Sequence, residues 1–217
     1  MNIKRAVVAL GLAVTGLSVQ AQSDLTQYNQ AVADATTAGT DAGAVPDDSS
    51  VVTGLSTILS NLSTMHSEYV AGFSDLPGQS LLMKELANAA AGNDLLFSEL
   101  LTTCTNSVIT ITGQAGSDQS AAAKNLANAN NVGSGDPGYA GYISSYNYYN
   151  GLYLADSNLL VSAQTVSLDV ATAQNSADNY ANFLSDAVKS EPTPEPGTLA
   201  LLGAGLAGLA AVRCRRN

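Results

Sequence analysis

Tryptophan is absent from this 217-residue chain, histidine occurs once, cysteine twice, and Lys and Arg together number only 8. Each scarcity removes a class of function. Between Gln22 and Ser190 stand 16 acids against Lys84, Lys124 and Lys189, a net charge of −13. Nucleic-acid binding rests on neutralising phosphates with basic side chains, so nucleic acid is excluded as a partner. A transition-metal centre needs several His or Cys ligands, which His66, Cys104 and Cys214 cannot supply. A Ser-His-Asp hydrolase would have to borrow His66, and no G-x-S-x-G elbow accompanies it. The composition therefore reads as a non-enzyme without a cofactor, although distant acids that converge on a paired-carboxylate site remain open at this stage.

The two ends hold most of the chain's basic residues. MNIKRAVVALGLAVTGLSVQAQ presents Lys4 and Arg5, an apolar run from Ala6 to Leu17, and the small-residue site Val19/Ala21. This is the pattern of a secretory signal peptide over residues 1–21, cleaved after Ala21. An uncleaved anchor is the rival, and the run is short for one. At the other end, GAGLAG at residues 203–208 reads as a dinucleotide fingerprint. That motif must open the helix of a βαβ unit and be followed by an acid about 20 residues on. Only nine residues follow Gly208, so the cofactor loop is rejected. The glycines instead punctuate an uncharged stretch, Gly197 to Val212, about 24 Å long as a helix and slightly short of a roughly 30 Å hydrocarbon core. Arg213, Arg215 and Arg216 stop it, and basic residues stay cytoplasmic. The acidic body then lies outside the cytoplasm, as the signal peptide also requires.

Pro194-Glu195-Pro196, then GTLALLG, a short membrane helix and an Arg-rich end, in that order, resemble the PEP-CTERM sorting domain. The resemblance covers about the last 25 residues and says nothing of the fold of the body. It implies that the tripeptide and helix are read by exosortase, an integral-membrane cysteine protease. It further implies a Gram-negative bacterium that makes exopolysaccharide, and a protein exported to the cell surface or biofilm matrix after a transient stay in the inner membrane. Cys214 departs from the pattern without disturbing it. A generic tail anchor is the alternative, and it leaves Pro194-Glu195-Pro196 unexplained.

Residues 22–190 read as an acidic extracytoplasmic domain, and 191–217 as a Pro-rich linker, short membrane helix and basic tail. Leu159, Ala163, Val166, Val170, Ala173, Ala177, Tyr180, Leu184 and Ala187 step by 4 and 3 throughout, a helix-packing seam about 50 Å long if continuous. Val51, Leu55, Ile58, Leu62, Met65 and Tyr69 make a second seam, capped before by Pro46–Ser49 and ended by Gly72. A long or broken helix is expected through Leu82, Leu86, Ala89, Leu96, Leu100, Cys104 and Val108, with a short strand at Val108–Thr112 as the alternative. Shorter helices are expected at Asp24–Ala38 and Ser120–Asn130, and loops at Gly39–Val45, Gly113–Ser117 and Val132–Gly141. The fold class is all-α, an elongated bundle of about four helices.

Six of the nine tyrosines, Tyr139, Tyr142, Tyr146, Tyr148, Tyr149 and Tyr153, crowd into GYAGYISSYNYYNGLY. Tyrosine offers an apolar face and a hydroxyl, suited to stacking on sugar rings or to adhesive contact; equally, such rings cover the edge of a core. His66 reads as a half-buried or surface histidine, and Cys104 as a small core hydrophobe whose one partner, Cys214, lies beyond the membrane. An intermolecular Cys104 bridge is a further option for an exported chain. Asp47-Asp48 and Gly135–Gly138 lack the alternation of a calcium loop and read as a cap and a turn. The sequence thus points to a surface or exopolysaccharide-matrix protein with a structural or adhesive role, meeting polysaccharide or like subunits through the tyrosines. The alternative is a small-ligand binding or sensor bundle, which requires an enclosed cavity between helices.

Overall fold

A computed structural model describes residues 25–46, 48–72 and 79–190. The signal peptide, the Pro194-Glu195-Pro196 tripeptide, the membrane helix and the Arg213, Arg215 and Arg216 cluster lie outside the described residues. Within them are four helices and no strand. These are α1 (25–42), α2 (Ser49–Gly72), α3 (Gln79–Val132) and α4 (Tyr139–Ser190).

The lengths decide the shape. At 1.5 Å per residue, α1 and α2 run about 27 and 36 Å, whereas α3 and α4 run about 81 and 78 Å. Asp48 and Asn61 meet Ser107 and Asn93, and Tyr28 and Asp34 of α1 meet Tyr180 and Ser176 of α4; the order reverses in both sets, so α2 runs antiparallel to α3 and α1 to α4. The four helices therefore share a head, which ends where Asp48 of the α1–α2 turn meets Ser107 of α3. Beyond Ser107, α3 and α4 continue about 37 Å as a two-helix arm. Its tip is a six-residue turn in which Gly133 takes φ 77° and caps α3 by donating to the Ala129 carbonyl at 2.9 Å. The Gly138 amide then donates to Asp136 Oδ1 at 2.7 Å, an Asx turn that launches α4.

The head is built on the expected seams. Val51, Leu55, Ile58, Leu62, Met65 and Tyr69 are buried, as is every residue of the α4 seam from Ala163 to Ala187, while Leu159 is half-buried. The inward face of α1 is a row of alanines, Ala31, Ala35, Ala38 and Ala42, none more than 1 % exposed. Small residues also set the α2–α3 distance: a methyl on Gly54 would lie 2.6 Å from Leu100 Cδ2.

Helix α3 corrects the sequence reading in several places. It runs unbroken through Gly92, Gly113 and Gly116, absorbing the loop at Gly113–Ser117 and the separate helix at Ser120–Asn130. No neighbouring atom stands within 4 Å of a methyl at those glycines, so they face open space and α4 supports the opposite side. Val108–Thr112 is helical, the expected state and not the alternative strand: Val108 and Ile111 pack on the core, and the Thr112 hydroxyl donates to the Val108 carbonyl at 2.7 Å. Past Gly92 the buried positions are Asn93, Phe97, Leu100 and Cys104, with Leu96 only half-buried. Two successive steps of four put Asn93 and Phe97 where the regular 4-3 count placed Leu96. The loop at Gly39–Val45 shrinks because α1 extends to 42, and that at Val132–Gly141 shrinks to 133–138.

Candidate functional site

Three polar clusters stitch the head. Tyr28 of α1 stacks on the His66 ring of α2 at 4.2 Å and 12°, and His66 Nδ1 shares a 2.8 Å hydrogen bond with the hydroxyl of the fully buried Tyr180 of α4. His66 thus joins three helices and is half-buried. Asn93, 3 % exposed, accepts from Asn61 at 2.8 Å and points its own amide at Met65 Sδ. Asp48, fully buried, accepts a 2.6 Å bond from the Ser107 hydroxyl at Oδ1 while Oδ2 has no partner. Beside it Cys104 is buried, and that burial, reinforced by the Asp48 charge, pushes its thiol up to about 11. A thiol held so firmly protonated is a poor nucleophile. Cys104 packs as a hydrophobe and is shielded from intermolecular exchange.

Acidic pairs bridge helices where opposite charges are more usual. Asp178 of α4 is raised to about 6 by burial and by its neighbour Asp94 of α3. Burial and a hydrogen bond with Asp118 raise Asp156, and burial with Asp41 raises Asp169. In each pair burial and the neighbouring carboxyl both disfavour the charged form. Among the described residues no three His, Cys, Asp or Glu side chains converge as metal ligands.

The arm carries the tyrosines, and the helix divides them. Tyr139, Tyr142, Tyr146, Tyr149 and Tyr153, spaced 3, 4, 3 and 4, are half-buried. They lie on the same side of α4 as its inner seam, whose partners on α3 are the buried Ala115, Ala122 and Ala129. Small residues opposite large ones let two helices approach without a third. Tyr148 falls outside that spacing, is 63 % exposed, and meets Tyr149 edge-on at 5.3 Å between centroids. The arm is nearly without charge: residues 109–158 hold only Asp118, Lys124, Asp136 and Asp156. Surface threonines and serines turn their hydroxyls back onto the carbonyl four residues earlier, as Thr112 and Ser120 do.

Grooves between α3 and α4 are the concavities nearest to a ligand site. One, of 370 Å³, runs between Leu101, Thr105 and Gln174; another, of 290 Å³, between Leu86, Ala90, Asp94 and Ala181. Both open along the side of the α3–α4 hairpin, the second reaching the buried Leu86 of the α3 seam.

This architecture defines a class: an acidic four-helix head prolonged by a sparsely charged two-helix arm. The address comes from the tail. Residues 192–216 match the PEP-CTERM protein-sorting motif, while no curated protein and no solved structure matched the chain. The match covers the tripeptide and Arg213, Arg215 and Arg216 in the order read from the sequence. The motif marks the chain for export through a membrane-anchored precursor, with an exosortase as its processing partner.

Proposed function

We propose that the chain is a structural or adhesive protein of the cell surface or exopolysaccharide matrix, cut from its tail by exosortase and making contact through the arm. The sorting motif at residues 192–216 carries the reading, because it addresses the body outward. The arm supplies a second support. Its net charge is −2 over residues 109–158, against −11 over the other 119 residues of the body, so an acidic or uncharged polysaccharide meets less repulsion there than at the head. Tyr148 is the foremost contact, with the half-exposed edges of Tyr139, Tyr142, Tyr146, Tyr149 and Tyr153 along one side. The ligand-binding alternative gains less support, since the two grooves described open between α3 and α4 and are not enclosed among the four helices.

Two measurements test this. The intact mass of the released protein, compared with and without the sorting protease, should show a product from near Gln22 to near Pro194 outside the cell only when the protease is present. Exopolysaccharide retention by the released protein should then fall in Tyr148→Ala while helix content stays unchanged. Retention equal to wild type would remove the tyrosines from the contact.

A further inference from the structure

The inner seam of α4 has an outward counterpart. Leu154, Asn158, Val161, Thr165, Leu168 and Thr172 step by 4, 3, 4, 3 and 4, and all six are exposed. At 100° per residue this row lies on the side of α4 opposite Ala163, which is buried on the inner seam. Leu154, Val161 and Leu168 occupy every seventh position and are 54, 63 and 70 % exposed. The two threonines of the row have surrendered their hydroxyls to the helix: Thr165 donates to the Val161 carbonyl at 3.0 Å and Thr172 to the Leu168 carbonyl at 2.9 Å. Their methyl groups complete an apolar row about 27 Å long. A row of this periodicity is what a second helix packs against, and nothing among the described residues covers it.

We infer that a second copy of this chain docks on this face, the two α4 helices lying parallel and in register along Leu154–Thr172. Three observations select that occupant. The row and its flanks are uncharged except for Asp169, which turns to Asp41 of α1, whereas the head around it is acidic. Two copies therefore repel over the other faces of the head and meet along this row without that repulsion. Asn158 is the one amide in the row, at the position where a single Asn fixes parallel, in-register pairing by meeting its own counterpart. Finally, the sorting tail follows α4 directly, so parallel helices bring both tails to the same side, as two precursors anchored in one membrane require.

The test uses the full chain in membranes with Cys214→Ser, the native Cys104 being 1 % exposed. Val161→Cys is expected to give a disulfide-linked dimer on mild oxidation, and Ala123→Cys, on the exposed side of α3, is not. Sedimentation of the detergent-solubilised chain should show Leu154→Asp with Leu168→Asp weakening self-association at least about tenfold at unchanged helix content. Three results would overturn the inference: cross-linking of Val161→Cys no greater than that of Ala123→Cys, a dimer formed only when Val161→Cys and Thr165→Cys chains are mixed, or self-association untouched by the double substitution. None of these substitutions alters a tyrosine of the arm, so loss of dimerisation and loss of polysaccharide contact are read separately.

Discussion

Replacing Ala35 with leucine asks how closely α1 lies on the bundle, and the sign of the answer is diagnostic. Ala35 is 0 % exposed in a row of alanines that shares one core with Leu55, Ile58, Val166 and Val170. Leucine adds three carbons. If space waited there, burying them would stabilise the fold by about 2.4 kcal/mol, at 0.8 kcal/mol per methylene. If the alanines are instead in contact, overpacking costs about 1–3 kcal/mol. The two cases therefore differ by roughly 4 kcal/mol, well beyond experimental error. Contact is the expected case, because an alanine face is what allows close approach. Ala35→Gly isolates the other part, losing about 1 kcal/mol of helix propensity and about 0.8 kcal/mol of methyl burial. Urea unfolding of the detergent-solubilised chain, followed by circular dichroism at 222 nm, measures both; with no tryptophan in the chain the helix signal is the natural probe. A helix of about 27 Å does not persist once displaced, so Ala35→Leu should also open α1 to proteases. A leucine variant more stable than wild type would refute the close-packed account of α1.

Further outcomes follow from the same structure. Gly113→Ala and Gly116→Ala each fill open space in α3 and should raise stability by about 0.5–1 kcal/mol in the same urea assay, whereas Gly133→Ala, at positive φ, should lower it by about 1–2 kcal/mol. Ser107→Ala removes the one hydrogen bond seen at the buried Asp48 carboxyl and should cost about 1.5–3 kcal/mol. Acid should stabilise the head: Asp178 is raised in the fold to about 6 from an unfolded value near 4, so the folded state holds more protons between those limits. Its contribution is complete below about pH 4 and lost as pH rises through about 6, and Asp156 and Asp169 are shifted in the same direction. Tm should therefore be higher at pH 5 than at pH 7, and Asp178→Asn should flatten that difference; a Tm that falls on acidification would contradict the carboxyl pairing.

What the sequence displayed, it displayed as period. The seams of α2 and α4 were legible because no residue interrupts their 3-4 stepping, and Cys104 was legible as core because it falls in line with Leu100. The failures on α3 have two physical sources. Gly113 and Gly116 looked like a loop and Gly92 left a broken helix open, yet each glycine costs only about 1 kcal/mol in a helix, less than a long antiparallel partner supplies. The second source is polar burial: Asn93 and Asp118 occupy core positions that a hydrophobicity count skips. The tyrosines carried a readable signal that composition obscured. Their 3-4 spacing from Tyr139 to Tyr153 continues the inner seam of α4, leaving Tyr148 as the outward one. The partner of Asp48, Ser107, was not readable at all, since 59 residues separate them.

The long hairpin also governs when the head can exist. Contacts near the Gly133 turn join residues close in sequence, whereas the bond from Ser176 to Asp34 spans 142 positions. Because loops must close before distant contacts repay them, the hairpin should zip from its tip toward the head, with α1 and α2 docking afterwards. Export delivers those elements in the opposite order, so α1 and α2 emerge first and wait for α3, and α1 for its main partner α4, to cross. A chaperone outside the inner membrane would find its client there, in two short helices whose alanine and leucine faces have nothing yet to cover them.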